Sequence, residues 1–104
     1  MVLVGGSNVY PAEVEAAIDE FPGVLSCAVI GLPDADLGNR LHAILQAPGV
    51  DEQGLRAHLK DRLVTYKQPR SFEFVEDPVR DDAGKVRRSE LRAQRLAPEA
   101  TSQG

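Results

Sequence analysis

Val24-Leu-Ser-Cys-Ala-Val-Ile30 leads through Gly31-Leu-Pro-Asp-Ala-Asp-Leu-Gly38 into Arg40-Leu-His-Ala-Ile-Leu-Gln46. The first run is almost wholly apolar with β-branched members, which reads as a buried strand. The Gly, Pro and Asp content of residues 31–38 reads as a loop. The second run reads as another strand, pairing most simply as the antiparallel neighbour of the first. Two adjacent buried strands of this kind need cover, and the flanking segments supply it.

Upstream, Pro22-Gly23 ends a helix that Pro11 opens, with Val14, Ala17, Ile18 and Phe21 at helical spacing. Before it, Val2-Leu-Val4, Gly5-Gly-Ser-Asn8 and Val9-Tyr10 form a hairpin pattern, apolar residues bracketing a Gly/Asn turn. Downstream, Asp51 reads as an N-cap, and Leu55, Leu59 and Leu63 make an apolar stripe opposite Arg56, Lys60 and Arg62. Tyr66-Lys-Gln-Pro-Arg70 is a non-helical link, because Pro69 disfavours helix at Gln68. Ser71 to Glu76 alternates, Phe72 and Phe74 on one face and Val75 on the other, which predicts a third strand. Asp77 to Lys85 is a polar loop, Ser89 is the expected cap of a last helix to about Leu96, and Pro98 opens a frayed tail. The expectation is an α+β domain: a small three-stranded antiparallel sheet with flanking helices, preceded by a short β-hairpin. One domain over residues 1–97 and a flexible tail over 98–104 follow.

Composition sets the bounds. With 104 residues, 42% apolar and 27% charged, the chain suits one packed domain and not two. Five aromatics (Tyr10, Phe21, Tyr66, Phe72, Phe74) and no Trp make the core mainly aliphatic. A formal charge of −4 gives no reason to expect nucleic acid or an anionic membrane as partner. The single cysteine, Cys27, excludes an internal disulfide framework and a Cys-rich metal site, and fits a reducing cytoplasm. No apolar run approaches the about 20 residues of a membrane span. The opening Met-Val-Leu-Val-Gly-Gly has no basic flank or cleavage site, and its apolar start predicts a chain that begins at or near an element boundary.

Three segments carry more than packing requires. In Gly5-Gly6-Ser7-Asn8, paired glycines permit positive φ and close backbone approach, although a plain hairpin turn accounts for them too. Ala83-Gly84-Lys85-Val86 holds an ammonium group forward at the tip of a polar loop, a point charge suited to a carboxylate or phosphate; a solvated surface lysine is the alternative. Arg87, Arg88, Arg92 and Arg95 form a basic cluster in which 88, 92 and 95 share a helix face, either to grip a phosphate or an acidic partner or simply to meet water. His42 and His58 have no metal-ligand spacing, and no metal residues are assigned. Neither a nucleophile–base–acid set nor a phosphate-binding glycine loop is present.

In register, these segments resemble the C-terminal domain of the adenylate-forming superfamily. Gly5-Gly-Ser-Asn-Val-Tyr-Pro-Ala-Glu-Val-Glu15 is similar to the stretch that opens this domain in acyl-CoA ligases. Val29-Ile-Gly-Leu-Pro-Asp34 with Gly38 is similar to their strand and loop, and Tyr66-Lys-Gln-Pro69 to their link. Arg80-Asp-Asp-Ala-Gly-Lys-Val86, followed by Arg88 and Leu91, resembles their closing catalytic motif. Ser7 replaces the Glu of many relatives, Gly5 a basic residue of some, and Val79 the usual Pro before the arginine.

The resemblance implies a mobile lid on a large N-terminal domain that binds ATP, Mg²⁺ and a carboxylic acid. It implies that Lys85 reaches the acid carboxylate and nucleotide during adenylation. It further implies that Gly5, Gly6 and Ser7 then line the channel for the pantetheine arm of CoA, after a rotation between the two half-reactions. Isolated, such a lid is expected to be catalytically silent. Two alternatives stand beside it: the lid of a domain that loads a carrier protein, and a stand-alone interaction module using Arg87, Arg88 and Arg92.

Overall fold

The computed structural model describes residues 1–96, so the expected tail at 98–104 lies outside the described residues. The chain opens with a hairpin of β1 (Val2–Val4) and β2 (Ser7–Val9), closed by Gly5 and Gly6 at φ +58° and +89°. Positive φ at both central residues is what a two-residue hairpin turn of the right twist demands. Helix α1 (Pro11–Asp19) follows, with Pro11 in its first turn, where the missing N–H costs nothing.

Strands β3 (Ser26–Asp34) and β4 (Gly38–Gln46) then pair antiparallel along their whole length, from Ser26↔Gln46 to Asp34↔Gly38. The loop expected over 31–38 therefore shrinks to a tight turn. Asp34 Oδ2 accepts the N–H groups of Asp36 and Leu37 at 3.1 and 2.9 Å, a side-chain-built turn that lets the ladder run on. Pro33 is tolerated there because β3 is the sheet's edge and the residues of its phase turn their backbone groups outward.

Asp51 caps α2 (Glu52–Arg62) through Gly54 N at 3.0 Å, as its place before the leucine stripe predicts. A 3₁₀ turn at Thr65–Lys67 leads to β5 (Ser71–Phe74). Here the expected antiparallel sheet needs correction: β5 runs parallel to β4, with His42↔Ser71 and Leu45↔Phe74 in register. The physical reason is the connection. Helix α2 carries the chain back along the sheet before β5 begins, and a crossover of that kind delivers a parallel strand. The sheet is mixed, in the order β3-β4-β5.

Alternation along the strands divides the core. Cys27, Val29, Leu41, Ala43 and Leu45 cluster with Val14 and Ile18 of α1 and with Leu55 and Leu59 of α2. The opposite phase, Ile30, Leu32 and Ile44, meets Val75, Val79 and Leu91. Leu91 belongs to α3 (Arg88–Leu96), which starts one residue before Ser89, so the expected cap lies inside the helix. Phe72 packs on the larger cluster beneath Arg56, whose guanidinium is 4.5 Å from the ring centroid, whereas Phe74 is exposed.

The hairpin docks on the sheet through Gly5 N donating to Leu37 O at 2.9 Å and Asn39 Nδ2 donating to Leu3 O at 3.2 Å. Val2 closes onto Gly31: a Cβ at position 31 would stand 2.7 Å from Val2 Cγ1. Gly31→Ala should therefore destabilise the fold by about 1–3 kcal/mol, the usual cost of overpacking. Adding Val2→Ala should recover part of that loss, as read by urea unfolding of the two variants.

Candidate functional site

The hairpin tip and the Tyr66–Arg70 link, distant in sequence, meet at one groove. It has a volume of about 680 Å³ and is lined by Gly5, Ser7, Leu37, Arg56, Tyr66 and Arg70 among others. Gly6 sits at the turn itself, with open space where a side chain would be and outside the groove's lining. The link is tied to α1 by Lys67 Nζ, which donates to Glu13 Oε2 at 2.9 Å and is held above the usual lysine range by that bond.

Lys85 stands elsewhere. Its loop is shaped by Asp81, whose Oδ1 accepts Ala83 N at 3.0 Å and Lys85 N at 2.8 Å. Asp81 N in turn donates to Lys85 O at 2.9 Å, and Gly84 N to Asp81 O at 2.8 Å. Asp81 is thus the organiser of this turn. The Lys85 side chain is exposed, and its ammonium makes no hydrogen bond or ion pair among the described residues. A shallow depression beside it, lined by Pro78, Val79, Arg80, Arg87 and Leu91, shares no residue with the groove. The sequence-derived residues therefore fall at two separate places, Gly5 and Ser7 at one and Lys85 at the other.

The basic cluster does not survive as a free face. Arg92 Nε donates to Gly31 O at 2.8 Å, and Arg95 forks onto Glu73 with bonds of 3.0 and 2.8 Å. Arg88 Nε donates to Glu15 Oε2 at 2.9 Å, and this bond holds the guanidinium above even the usual arginine range. Arg87 remains at the surface, 3.7 Å from Asp81. Two readings were open for this helix face, a grip on a phosphate or acidic partner and plain solvation. Neither describes Arg88, Arg92 and Arg95, which are spent on the protein's own backbone and carboxylates.

Glu15 is the residue that sequence reasoning passed over. It is 2% exposed on α1 and accepts from Val29 N at 2.8 Å, from Arg80 Nη2 at 3.1 Å and from Arg88. A signal was present: position 15 shares a helix face with Pro11 and Ile18, where a lone carboxylate demands a cation. No buried side-chain nitrogen or oxygen among the described residues lacks a partner.

His42 bridges Ser71 Oγ at 2.7 Å and Glu73 Oε1 at 2.9 Å, and His58 bonds Ala17 O at 2.9 Å, so both histidines have structural partners. Burial, then neighbouring Asp19, pushes the Cys27 thiol far up, which makes it inert. Among the described residues no helix is long and apolar enough to cross a membrane, and no group of His, Cys, Asp and Glu could hold a metal.

Residues 13–85 match the AMP-binding enzyme C-terminal domain, and the chain belongs to that family. It is 43% identical over 96 residues to the long-chain-fatty-acid–CoA ligase FadD13 of Mycobacterium tuberculosis, covering 90% of this chain and 19% of that protein. Identity is 39% over 94 residues to a fatty acid–acyl-carrier-protein ligase of Streptomyces coeruleorubidus, covering 88% and 18%. Among solved structures, a fatty acyl CoA synthetase of Mycobacterium tuberculosis superposes with a TM-score of 0.83 at 43% identity, over 90% of this chain and 19% of that one. The chain thus spans about a fifth of the length of the relatives it matches.

Arg95 first, and His42 after it, hold the Glu73 carboxyl below the usual carboxylate range. A group lowered in the fold contributes stability above its unfolded value and loses it as pH falls through the folded one. Glu73→Gln should consequently lower the melting temperature by a few degrees near neutrality. The gap should close as pH falls below about 4, a convergence measurable by thermal unfolding between about pH 3 and pH 7.

Proposed function

We propose that the chain is the mobile C-terminal lid of an AMP-forming acyl-CoA synthetase, working on a large N-terminal domain of the same enzyme and silent without it. The observation that carries this reading is the Lys85 ammonium, without a partner among the described residues, at the tip of a loop whose backbone is hydrogen-bonded into one shape. A surface lysine needs no such frame; a lysine that must meet an anion at a set place does. Adenylation brings a carboxylate toward an already anionic α-phosphate. A cation between them, in a site with little water, lowers that repulsion. In this reading ATP, the carboxylic acid and Mg²⁺ are held by the large domain, as the resemblance to acyl-CoA ligases implies.

The groove serves the second half-reaction. Gly5 and Ser7, which line it, and Gly6 at the adjoining turn present backbone toward the pantetheine arm of CoA. At Gly5 a Cβ would crowd Leu37 Cδ2 at 3.3 Å. Because Lys85 and the groove share no residue, one rigid lid must turn to offer each in its step. A buried, unpaired Cys27 accords with a reducing cytoplasm. Loading of a carrier protein is the second reading, favoured by the match to the acyl-carrier-protein ligase. CoA and a holo-carrier protein offered in parallel as acceptors separate the two. The interaction-module reading loses its support because Arg88 and Arg92 are engaged within the fold.

In the full-length enzyme, Lys85→Ala should lower acid-dependent pyrophosphate exchange by about 10²–10³-fold, the scale of a lost electrostatic stabiliser. Transfer of the acyl group from preformed acyl-adenylate to CoA should stay within about threefold, because Lys85 has left the site by then. Unchanged exchange would remove Lys85 from the chemistry.

A further inference from the structure

Asp81 gives the Lys85 loop its shape, but its hydrogen bonds stay within residues 81–85, and its ion pair, with the exposed Arg87 at 3.7 Å, reaches only two residues further. Something else must set where that shape sits on the domain. Two contacts do so. At the loop's entry, Val79 N donates to Ser26 Oγ at 3.0 Å, and Val79 packs with Ile30, Leu32 and Ile44. At its exit, Arg80 spans from the domain to the loop: Nη2 meets Glu15 Oε1 at 3.1 Å, and Nη1 donates to Gly84 O at 3.0 Å. The carbonyl of Gly84 belongs to the peptide that joins Gly84 to Lys85.

Glu15 is well fitted as the fixed end. Its side chain is 3% exposed, and Val29 N of the edge strand and Arg88 of α3 hold it from two further elements. The Arg80 guanidinium is planar and rigid, so its two donors hold a set separation, which a flexible ammonium cannot reproduce. We propose that Arg80, anchored on Glu15, is a positioning residue that places Lys85 for adenylation. This rests on the reading of Lys85 given above. In this role Arg80 acts through Lys85 and not on the reacting atoms.

The consequence is selective. Misplacement of a reacting group by about 1 Å costs on the order of 10²-fold. Loss of the Arg80 bridge should therefore weaken the step that uses Lys85 and spare the step that does not. The fold should survive, because Glu15 keeps Val29 N and Arg88 as partners.

The test uses the full-length enzyme with Arg80→Ala, Arg80→Lys, Lys85→Ala and the Arg80→Ala/Lys85→Ala double variant. Pyrophosphate exchange, acyl transfer from preformed acyl-adenylate to CoA, and melting temperature are measured for each. Arg80→Ala is expected to lower exchange about 10–100-fold with transfer within about twofold, and to add nothing to the loss in Lys85→Ala. Arg80→Lys keeps a cation beside Glu15 and so keeps the melting temperature, yet cannot span both acceptors; its exchange should stay low.

A parallel fall of exchange, transfer and melting temperature in Arg80→Ala would show a merely structural residue and overturn the proposal. Full exchange in Arg80→Lys, or additive losses in the double variant, would overturn it as well. If Lys85→Ala alone leaves exchange intact, the reading of Lys85 fails first and the proposal with it. If Lys85→Ala collapses exchange while Arg80→Ala does not, only the positioning role is lost.

Discussion

A carboxylate taken out of water must find cations and N–H donors or give up its charge, and Glu15 finds them on three other parts of the fold. Val29 of the edge strand, Arg80 of the last loop and Arg88 of α3 all donate to it. Loss of the carboxylate would take a partner from Val29 N, Arg80 and Arg88 at once, whereas loss of Arg80 alone leaves Glu15 with Val29 N and Arg88. Helix α1 lies on one face of the sheet, while Val79 and Leu91 pack against the other. Glu15 reaches past the edge of β3 to join the two sides. Without it, the loop and helix that follow Asp77 would be left to the small cluster of Ile30, Leu32 and Ile44, the Val79–Ser26 bond and the bonds of Arg92 and Arg95.

The same edge explains the arginines. An uncovered edge strand invites pairing with another chain, and proteins blunt it with charged side chains. Glu15 takes the N–H of Val29, Arg92 the carbonyl of Gly31, and Arg40 the carbonyl of Pro33 at 2.8 Å. These residues alternate along β3, so their backbone groups all point outward, and each meets a side chain rather than a stranger. Of the basic cluster read from the sequence, Arg92 seals this edge directly and Arg88 joins it through Glu15, while Arg95 is tied to Glu73 of β5. Helical spacing correctly put 88, 92 and 95 on one face; which way that face turns is a tertiary fact that spacing does not contain.

Legibility follows the range of the interaction. Turn chemistry at Gly5-Gly6, the Asp51 cap and the leucine stripe act over a few residues, and each could be read directly. The direction of β5 could not, because it depends on α2 returning the chain along the sheet before Ser71. Nor could the groove, which joins Gly5 and Ser7 to Tyr66 and Arg70 across the whole of the core sheet's first two strands. Lys85 stood out for its local setting, Gly84 before it and polar residues around it. Glu15 lay in plain view inside a quoted motif, and its meaning became clear only once Arg80 and Arg88 were seen to fold back on it.

On the proposed function, a lid that serves two steps faces a conflict, since the group needed in one step obstructs the other if both occupy the same place. Here the two sets are kept apart by construction. The groove is built from the hairpin, the link and α2, whereas the Lys85 loop rests on β3 and on Glu15. Both are tied to one sheet, the hairpin through Leu37 and Asn39 at its turn, the loop through Ser26 at the other end of β3. Such a body can present either set by turning as a whole, with no internal rearrangement needed to hide the other. That economy places a demand on rigidity: an error in the anchor shifts the backbone from which the Lys85 side chain extends. A buried, multiply bonded carboxylate at the base of that anchor meets the demand better than surface contacts, whose screening by water leaves them soft.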